Sequence, residues 1–586
     1  MTETTAEKVT ELAKRRGFFF QSSGAYGGVA GVYTFGPHGA GLKRNVEDVW
    51  RERFTIEEGN QEVDAPTIMP EPVFEASGHL DGFDDMLVEC PECGQSHRAD
   101  HLLEDATELE DAEAIPVAEV EALFAEHDIT CPTCGASLAD EPVEDFNLMF
   151  GTNIGPGSSS PGYLRPETAQ GIFVEFPRLK EYARGQLPFG VTQIGRAYRN
   201  EISPRKSIIR VREFTQAELE LFIDPEEDTP DLAAVADVTL TLYPIDRQQT
   251  DGAGPIEATV AEAIDRGIVE NAWIAYYLGV AKRWYERIGV DMDRFRFRQH
   301  LPGERAHYAS DCWDAEGYVT DDWVELSGFS TRSDYDLRKH GEHSDESFTL
   351  FKQYDEPVTI ERPTIDPDMS ELGPAFGEAA SGIVDALESR VEREPEAFEA
   401  GETVTVEVDG ESYAVPVEHT NFEISEVTEA GEHIHPHVIE PSFGVDRIVY
   451  TVLEHAYTED EVDGETRQYL SLDPAIAPTT VGVFPLVDTD GLPDQARDIV
   501  TELRDAGLSV TYDDSGAIGR RYRRQDEIGT PFCVTVDHET LEDSTVTIRE
   551  RDSTEQCRVA VDELARTLRD LRDGIRSFSD LAEEAS

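Results

Sequence analysis

Between Gly195 and Phe222 the chain concentrates charge in an ordered way. It reads Gly195-Arg196-Ala197-Tyr198-Arg199-Asn200-Glu201, then Ser203-Pro204-Arg205-Lys206, then an unbroken run from Ile209 to Phe222. Successive side chains of a strand point to opposite faces. With a strand from Ile209, the even positions give Arg210, Arg212, Phe214, Gln216, Glu218 and Glu220. The odd positions give Ile209, Val211, Ala217, Leu219 and Leu221. One face is core; the other is a row of guanidinium and carboxylate groups with an aromatic among them. A solvated outer face is also charged, but rarely alternates for so long with this mix. Arg199 and Glu201, two residues apart, share a face of the preceding strand, so the segment reads as strand, loop, strand.

A second set of reactive side chains is written twice, as Cys90-Pro91-Glu92-Cys93-Gly94 and Cys131-Pro132-Thr133-Cys134-Gly135. Two such pairs about forty residues apart, each closed by glycine, fit a tetrahedral thiolate zinc site. The glycine lets the backbone turn back so that amides point at the sulfurs. Two dithiols or disulfides would carry the same spacing, but a cytoplasmic setting argues against structural disulfides. Four thiolates leave no open position, so the role is structural. His97 and His101 lie nearby and are read as outside the ligand set. Cys312, Cys533 and Cys557 are scattered and read as core or surface residues.

The elements that must position these groups follow from periodicity. Residues 3–16 read as a helix, and Gly17 to Gly41 as loop or hairpin, with no Walker pattern. Leu42 to Phe54 has helical spacing through Val46, Val49, Trp50 and Phe54. Glu62 to Met69 reads as a strand ending at Pro70. The very acidic stretch Leu102–Glu126 reads as helix, Val191–Phe222 as a hairpin, and 226–310 as mostly helical, amphipathic near Ala272–Ile288. Residues 363–415 are acid-rich and read as an insertion, and Pro474 to Pro478 as a linker. The alternation of strand and helix after Val481 predicts a small α/β domain.

Composition sets the frame. The 586 residues carry 121 Asp and Glu against 50 Lys and Arg, a net charge of −71. Three or four domains fit that length. With 27 Phe, 19 Tyr and 5 Trp the chain has material for cores, which argues against wholesale disorder. Only 8 of the cations are Lys, and the acids lie along the whole chain. This reads as a protein for a very salty cytoplasm, where screening at ~3 Å in 1 M salt removes self-repulsion. Charge repulsion for solubility alone is the blander alternative. No apolar run approaches the ~18 residues that span a bilayer, and the N-terminus lacks a signal-peptide h-region. A cytoplasmic location, without membrane contact, is expected.

The charged segment resembles motif 2 of the class II aminoacyl-tRNA synthetases. Tyr198-Arg199-Asn200-Glu201 matches its first strand, and Arg210, Phe214 and Glu218 match its return strand. Glu440-Pro441-Ser442-Phe443-Gly444-Val445-Asp446-Arg447 resembles motif 3, and residues 42–78, through Pro70-Glu71-Pro72-Val73, resemble motif 1. Arg165-Pro166-Glu167-Thr168-Ala169-Gln170-Gly171 resembles a phrase of the glycyl-tRNA synthetases of the dimeric archaeal and eukaryotic type. The likeness covers nearly all of 1–470, and 477–575 resembles the anticodon-binding domain of class IIa enzymes. The implied fold class is α+β: an antiparallel catalytic sheet flanked by helices, a zinc-ribbon-like insertion and a C-terminal α/β anticodon-binding domain. The implied domains are 1–88 and 141–476 for catalysis (with insertions near 226–310 and 363–415), 89–140 for zinc, and 477–586 for the anticodon.

The resemblance implies ATP-dependent attachment of glycine to tRNA(Gly) through glycyl-adenylate. Arg199 is expected on the α-phosphate and amino-acid carboxylate, Arg447 on the γ-phosphate, and Glu201 on the adenine amino group. Arg210 and Arg212 are expected on the triphosphate or its loop, and Phe214 against adenine. Asn200, Ile209, Val211, Glu213, Gly444, Val445 and Asp446 complete the implied ATP site, with Glu325 and Leu326 facing ATP and Mg2+. Glu167, Glu218 and Glu440 are expected around the glycine ammonium, closed by Gln216 and Ser442. Phe214, Thr215, Ala217, Pro441, Phe443 and Gly444 are expected beside them, with Arg98 at the substrate. A filled pocket excludes the methyl of alanine, so no editing domain is required. Asp446 stands where some relatives carry glycine; it could cap the helix or aid a metal. The Arg520–Arg524 cluster around Tyr522 is expected to meet tRNA, with Arg521 and Arg524 as its test residues. A homodimer is implied through motif 1. Competing readings are a class IIa ligase for Thr, Pro, Ser or His, and a non-catalytic synthetase-like nucleic-acid-binding protein. His433-Ile434-His435-Pro436 resembles a class I signature, but no Rossmann fingerprint accompanies it and no lysine follows Lys352.

Overall fold

The computed structural model describes residues 4–584, apart from 108, 110, 111, 113, 114, 157–159, 205, 206, 305–310, 409 and 463. The alternation of Ile194 to Ile223 is resolved by one large sheet. Its nine strands are β1 (Gln61–Glu62), β2 (Phe189–Tyr198), β3 (Glu213–Ile223), β4 (Thr239–Tyr243), β5 (Ile256–Thr259), β6 (Phe295–Gln299), β7 (Cys312–Val319), β8 (Asp322–Ser333) and β9 (His437–Gly444). Their spatial order is β5-β4-β6-β7-β8-β9-β3-β2-β1. All neighbours are antiparallel except β1 with β2 and β4 with β6. β2 and β3 form the expected hairpin, in register from Phe189↔Phe222 to Tyr198↔Glu213.

The return strand begins at Glu213, not at Ile209. Residues 208–212 turn instead, and Arg210 and Arg212 therefore stand on a loop. Arg205 and Lys206 lie outside the described residues. Likewise the stretch Glu62–Met69 breaks into β1 and a short strand at Ile68–Pro70.

The odd face of β3 and β9 packs on two helices. Helix α1 (Pro37–Arg51) brings Trp50 and leads through a wider turn, Glu52–Glu57, to Phe54. Helix α2 (Ala272–Arg287) brings Trp284 and Tyr285, capped at its start by the Asn271 side chain. Their rings converge on Phe443, with Phe54 at 4.8 Å and Trp284 at 5.4 Å between centroids. Such pairs contribute about 0.5–1.5 kcal/mol beyond area burial. The segment read as loop or hairpin to Gly41 forms the hairpin at Phe19–Gln21 and Tyr33–Phe35, but is already helical from Pro37. Proline suits the first helical turn. A Cβ on Gly39 would lie 1.7 Å from the Phe18 carbonyl oxygen, so only glycine lets helix and hairpin close.

The stretch 226–310 is not mostly helical. Besides α2 it contributes β4, β5 and β6 to the main sheet. Thr-Leu-Thr-Leu-Tyr and Phe-Arg-Phe-Arg-Gln alternate with period two, which is the strand signal the longer helix obscures.

The cysteine pairs sit in a small module with its own three-stranded sheet, Asp84–Glu89, Ser96–Arg98 and Val143–Asn147. The acidic middle forms two helices, Ala99–Ala106 and Val117–Glu126, over a core that includes Val88, Leu103, Phe124 and Leu138. The C-terminal sheet has five strands, with Val481–Pro485 flanked in parallel by Val510–Tyr512 and Phe532–Val536. Thr349–His435 forms a separate compact unit, wider than the acid-rich stretch 363–415. It holds the hairpin Leu350–Thr364/Glu423–Ile434 and a core of Leu372, Ile383, Leu387 and Val415.

Candidate active site

The even positions of β3, β8 and β9 place their side chains on one face of the sheet. Register sets Glu218 opposite Ser442 and Glu440 opposite Ser330. Ser442 Oγ donates to Glu218 Oε1 at 2.6 Å, Gln216 Nε2 donates to the same oxygen at 3.0 Å, and Thr168 Oγ donates to Oε2. Glu167 accepts from Gln170 at 2.9 Å. Three of the residues expected around an ammonium therefore come together from three separate segments.

At their centre stands a residue that the sequence did not single out. Arg332, on β8, donates Nε to Asp336 at 2.8 Å and Nη1 to Glu440 at 3.0 Å, and its Nη2 lies 3.6 Å from Glu167. Asp336 is on helix α3 (Tyr335–Glu342). Arg332 is 4% exposed and Asp336 1%. Continuing the even face of β8 from Gly328 through Ser330 to Arg332 is the signal that could have found it. The fields act unequally. Burial opposes ionisation of Glu167, yet Arg332 beside it holds its carboxyl at about 2. Burial pushes Glu440 up to about 7 against the pull of Arg332, and it raises Glu218 as well.

Next to this acidic end opens a cleft with about 590 Å³ of empty space. Arg199, Arg210, Phe214 and Gln216 line it from the β2–β3 hairpin, Glu325 and Leu326 from β8, and Ser442, Gly444, Asp446 and Arg447 from the β9 end. Arg199 donates to the Pro166 carbonyl at 3.3 Å, and its guanidinium lies over the rings of Phe214 (5.5 Å) and Phe83 (5.4 Å). Arg447 is in the first turn of helix α4 (Val445–Ala456). It donates to the Ile209 carbonyl at 3.0 Å and reaches the Glu325 carboxylate at 3.0 Å. Glu201, 7% exposed, accepts from Arg210 Nε at 2.5 Å.

Other expected residues take different places. Arg212 donates to the backbone carbonyls of Glu201 and Ala30, so of its two expected roles it takes the one that steadies the loop. Arg98 pairs with Asp85 at 3.0 Å and with Asp100. Asp85 in turn lies 3.5 Å from Arg210, so Arg98 bears on the loop arginine through a carboxylate and not on the glutamates. Ala217 and Phe443 are wholly buried in the core behind the sheet, where Val445 joins them. Pro441 is on that same odd face by register. Glu213 is exposed beside Arg196 at 3.7 Å. Asn200 donates its backbone N–H to Leu148. Asp446 does not cap its helix; it is buried 3.5 Å from Lys43, which also bonds Thr215.

In the C-terminal domain, helix α5 (Ile518–Asp526) spends the expected tRNA contacts internally. Arg521 is 4% exposed and donates to the carbonyls of Pro485, Asp514 and Gly516. Arg524 pairs with Asp513. Arg520 remains exposed and Arg523 is half-buried, 3.9 Å from Asp526.

The four cysteines converge. Cys90 and Cys134 sulfurs are 3.6 Å apart and those of Cys93 and Cys131 are 3.7 Å apart. A tetrahedron with Zn–S bonds of ~2.3 Å has edges of about 3.8 Å, so the donor set fits. Gly94 and Gly135 both take positive φ and donate to the carbonyls of Cys90 and Cys131. His97 lies outside the tetrad, its Nε2 3.3 Å from the Cys131 sulfur.

Comparison with known proteins agrees with this layout. Residues 159–244 match the tRNA synthetase class II core domain (G, H, P, S and T), and residues 480–571 match the anticodon binding domain. A prolyl-tRNA synthetase from Cryptosporidium parvum, complexed with L-proline and AMP, superposes with TM-score 0.50 over 97% of this chain and 78% of its own, at 11% identity; this shows the fold alone. The glycine–tRNA ligase of Methanothrix thermoacetophila is 49% identical over 98% of both chains. That of Methanocaldococcus jannaschii is 46% identical over 97% of this chain and 99% of its own, and that of Archaeoglobus fulgidus 47% over 98% of both. The class II core, the anticodon-binding tail and this near-full-length identity together place the chain in the glycine–tRNA ligase family.

Proposed function

We propose that the chain attaches glycine to tRNA in two steps on the described sheet face. The observation that carries the specificity is the charge count around Arg332. Glu167, Glu218, Glu220, Glu440 and Asp336 surround this one buried guanidinium, which leaves an excess of negative charge that a small ammonium offsets. Glycine offers an ammonium with no side chain to accommodate. Its carboxylate would lie toward Arg199, where it attacks the α-phosphate of ATP as pyrophosphate leaves. Arg199 and Arg447 then act as fixed cations for charge that builds in line. Arg210 and Glu201 shape the adenine end of the cleft. Glu325 would hold a magnesium ion, which would supply further charge neutralisation. The tRNA terminal hydroxyl next takes the glycyl group from the adenylate, and AMP leaves.

Zinc in the cysteine tetrad is part of this reading, supported by the sulfur spacing; so is a second copy of the chain packing through the segment around α1. The exposed Ile56 (70%) at the end of that segment supports the second copy. The acid excess supports function in a salt-rich cytoplasm. The test is amino-acid-dependent ATP–pyrophosphate exchange at multimolar KCl. Exchange with glycine alone is expected. Exchange with proline, threonine, serine or histidine would overturn the specificity, and no exchange in folded protein would overturn catalysis.

A further inference from the structure

One of the five carboxyls around Arg332 stands apart from the rest. Glu220 is 0% exposed, and neither of its oxygens has a hydrogen-bond partner among the described residues. The β3–β9 register runs from Glu218↔Ser442 to Leu221↔Ile439, which sets Glu220 directly opposite Glu440. Like charges opposite one another on adjacent strands destabilise a sheet, and a buried carboxylate without a donor is more costly still.

Glu440 accepts from Arg332 Nη1 at 3.0 Å and from Ser330 Oγ at 3.1 Å, but among the described residues nothing donates to Glu220. Glu218, on the same strand, adds negative charge. Among the described residues Arg332 is the guanidinium that acts on both members, and it already serves Asp336 and Glu167. His79 stands 3.8 Å from Glu167, and burial lowers its pKa against the pull of that carboxylate. The Cys312 thiol borders Glu440 from β7, and burial raises its pKa too. At and below neutral pH, two ionised carboxylates are therefore disfavoured at this position while the pocket is empty.

Resting on the reading of the pocket as an ammonium seat, we propose that Glu220 and Glu440 hold one proton between them in the empty enzyme, and that seating the glycine ammonium expels it. Glycine enters as the zwitterion. One carboxyl O–H bond breaks, its proton passes to solvent, and the pair moves from one negative charge to two. The incoming ammonium supplies the compensating positive charge. Glu220 is a positioning residue here: it makes glycine affinity depend on pH without touching the substrate. The upward shift of Glu440 to about 7, and of Glu220 well above its ordinary value, both caused first by burial, agrees with a shared proton.

The experiment is calorimetric titration of the full chain with glycine at multimolar KCl, in pairs of buffers with different ionisation heats, from pH 6 to 8. Proton release should rise from near zero at pH 8 toward one per glycine at pH 6. Kd should weaken toward tenfold per unit below about pH 7. In Glu220→Gln the isosteric amide removes the opposing charge. Glu440 then ionises alone, release falls toward zero, and the break in Kd moves down by a unit or more. An infrared difference spectrum of the unsubstituted enzyme gives a second readout: a protonated-carboxyl band should vanish on glycine addition. Glycine binding without proton release, an unchanged profile in Glu220→Gln, or no lost carboxyl band each overturns the proposal. No glycine binding at any pH overturns the ammonium seat itself, and the proposal with it.

Discussion

Arg332 is the residue on which the acidic pocket balances. A buried ion pair is stabilising mainly in the sense that breaking it strands the partner. Arg332→Leu strands Glu440 and Asp336 together, both under 10% exposed. The expected cost is about 3–5 kcal/mol in denaturant unfolding at high KCl, with glycine-dependent exchange abolished. A loss below about 1 kcal/mol, the scale of an exposed ion pair, would show that these carboxyls are hydrated or protonated without it. Glu167 behaves differently from its neighbours because its carboxyl is held at about 2. Its contribution to stability is present above its unfolded value and is lost as pH falls through the window from about 4.5 to 2. Glu440, raised to about 7, carries the opposite sign: its protonated form is favoured in the fold, and that contribution fades as pH rises from about 4.5 through 7.

At the scale of elements, the cysteine module and the β2–β3 loop are joined by a line of alternating charge: Arg98, Asp85, Arg210 and Glu201. Burial raises Asp85 to about 6 against the pull of Arg98 and Arg210, so the line depends on both arginines staying in place. On the proposed zinc reading of the tetrad, Cys93→Ser should lower the zinc content measured by elemental analysis. It should raise the KM for ATP severalfold while changing the KM for glycine much less. Equal changes in both would mean the module supports the whole sheet and not the loop. Much of this was legible in sequence where the signal is local: the two cysteine phrases, the period-two run after Glu213, and the order of the three motifs. What was not legible is what register and packing decide. Arg332 and Glu220 acquire meaning only when β8 and β9 are laid beside β3. Arg521 and Arg524 read as a basic patch because nothing in the one-dimensional chain shows that the Pro485, Asp514 and Gly516 carbonyls and the Asp513 carboxylate close around them. The strands within 226–310 were masked by the strong helical period of 272–287.

For the molecule as a whole, a net charge of −71 sets the solution conditions under which any of these contacts persist. Screening lengths grow from ~3 Å at 1 M to about 10 Å at 0.1 M salt, and carboxylates spread along the whole chain then repel across the surface. Dilution from multimolar to ~0.1 M KCl should abolish the cooperative thermal transition followed by circular dichroism. A transition that survives at 0.1 M would assign the acid excess to solubility alone. The sheet also imposes an order of events on a chain emerging from the ribosome. β9 sits between β8 and β3, yet it is made last of the nine strands, after the entire Thr349–His435 unit. About a hundred residues separate it from β8, roughly 5–20 s of synthesis at ~5–20 residues per second. Through that interval β3 and β8 present unpaired edges, the kind of surface that recruits foreign strands. The intervening unit, with a core of its own, can fold while they wait, and the strand that carries Glu440 and Ser442 then closes the sheet and assembles the pocket in a single event.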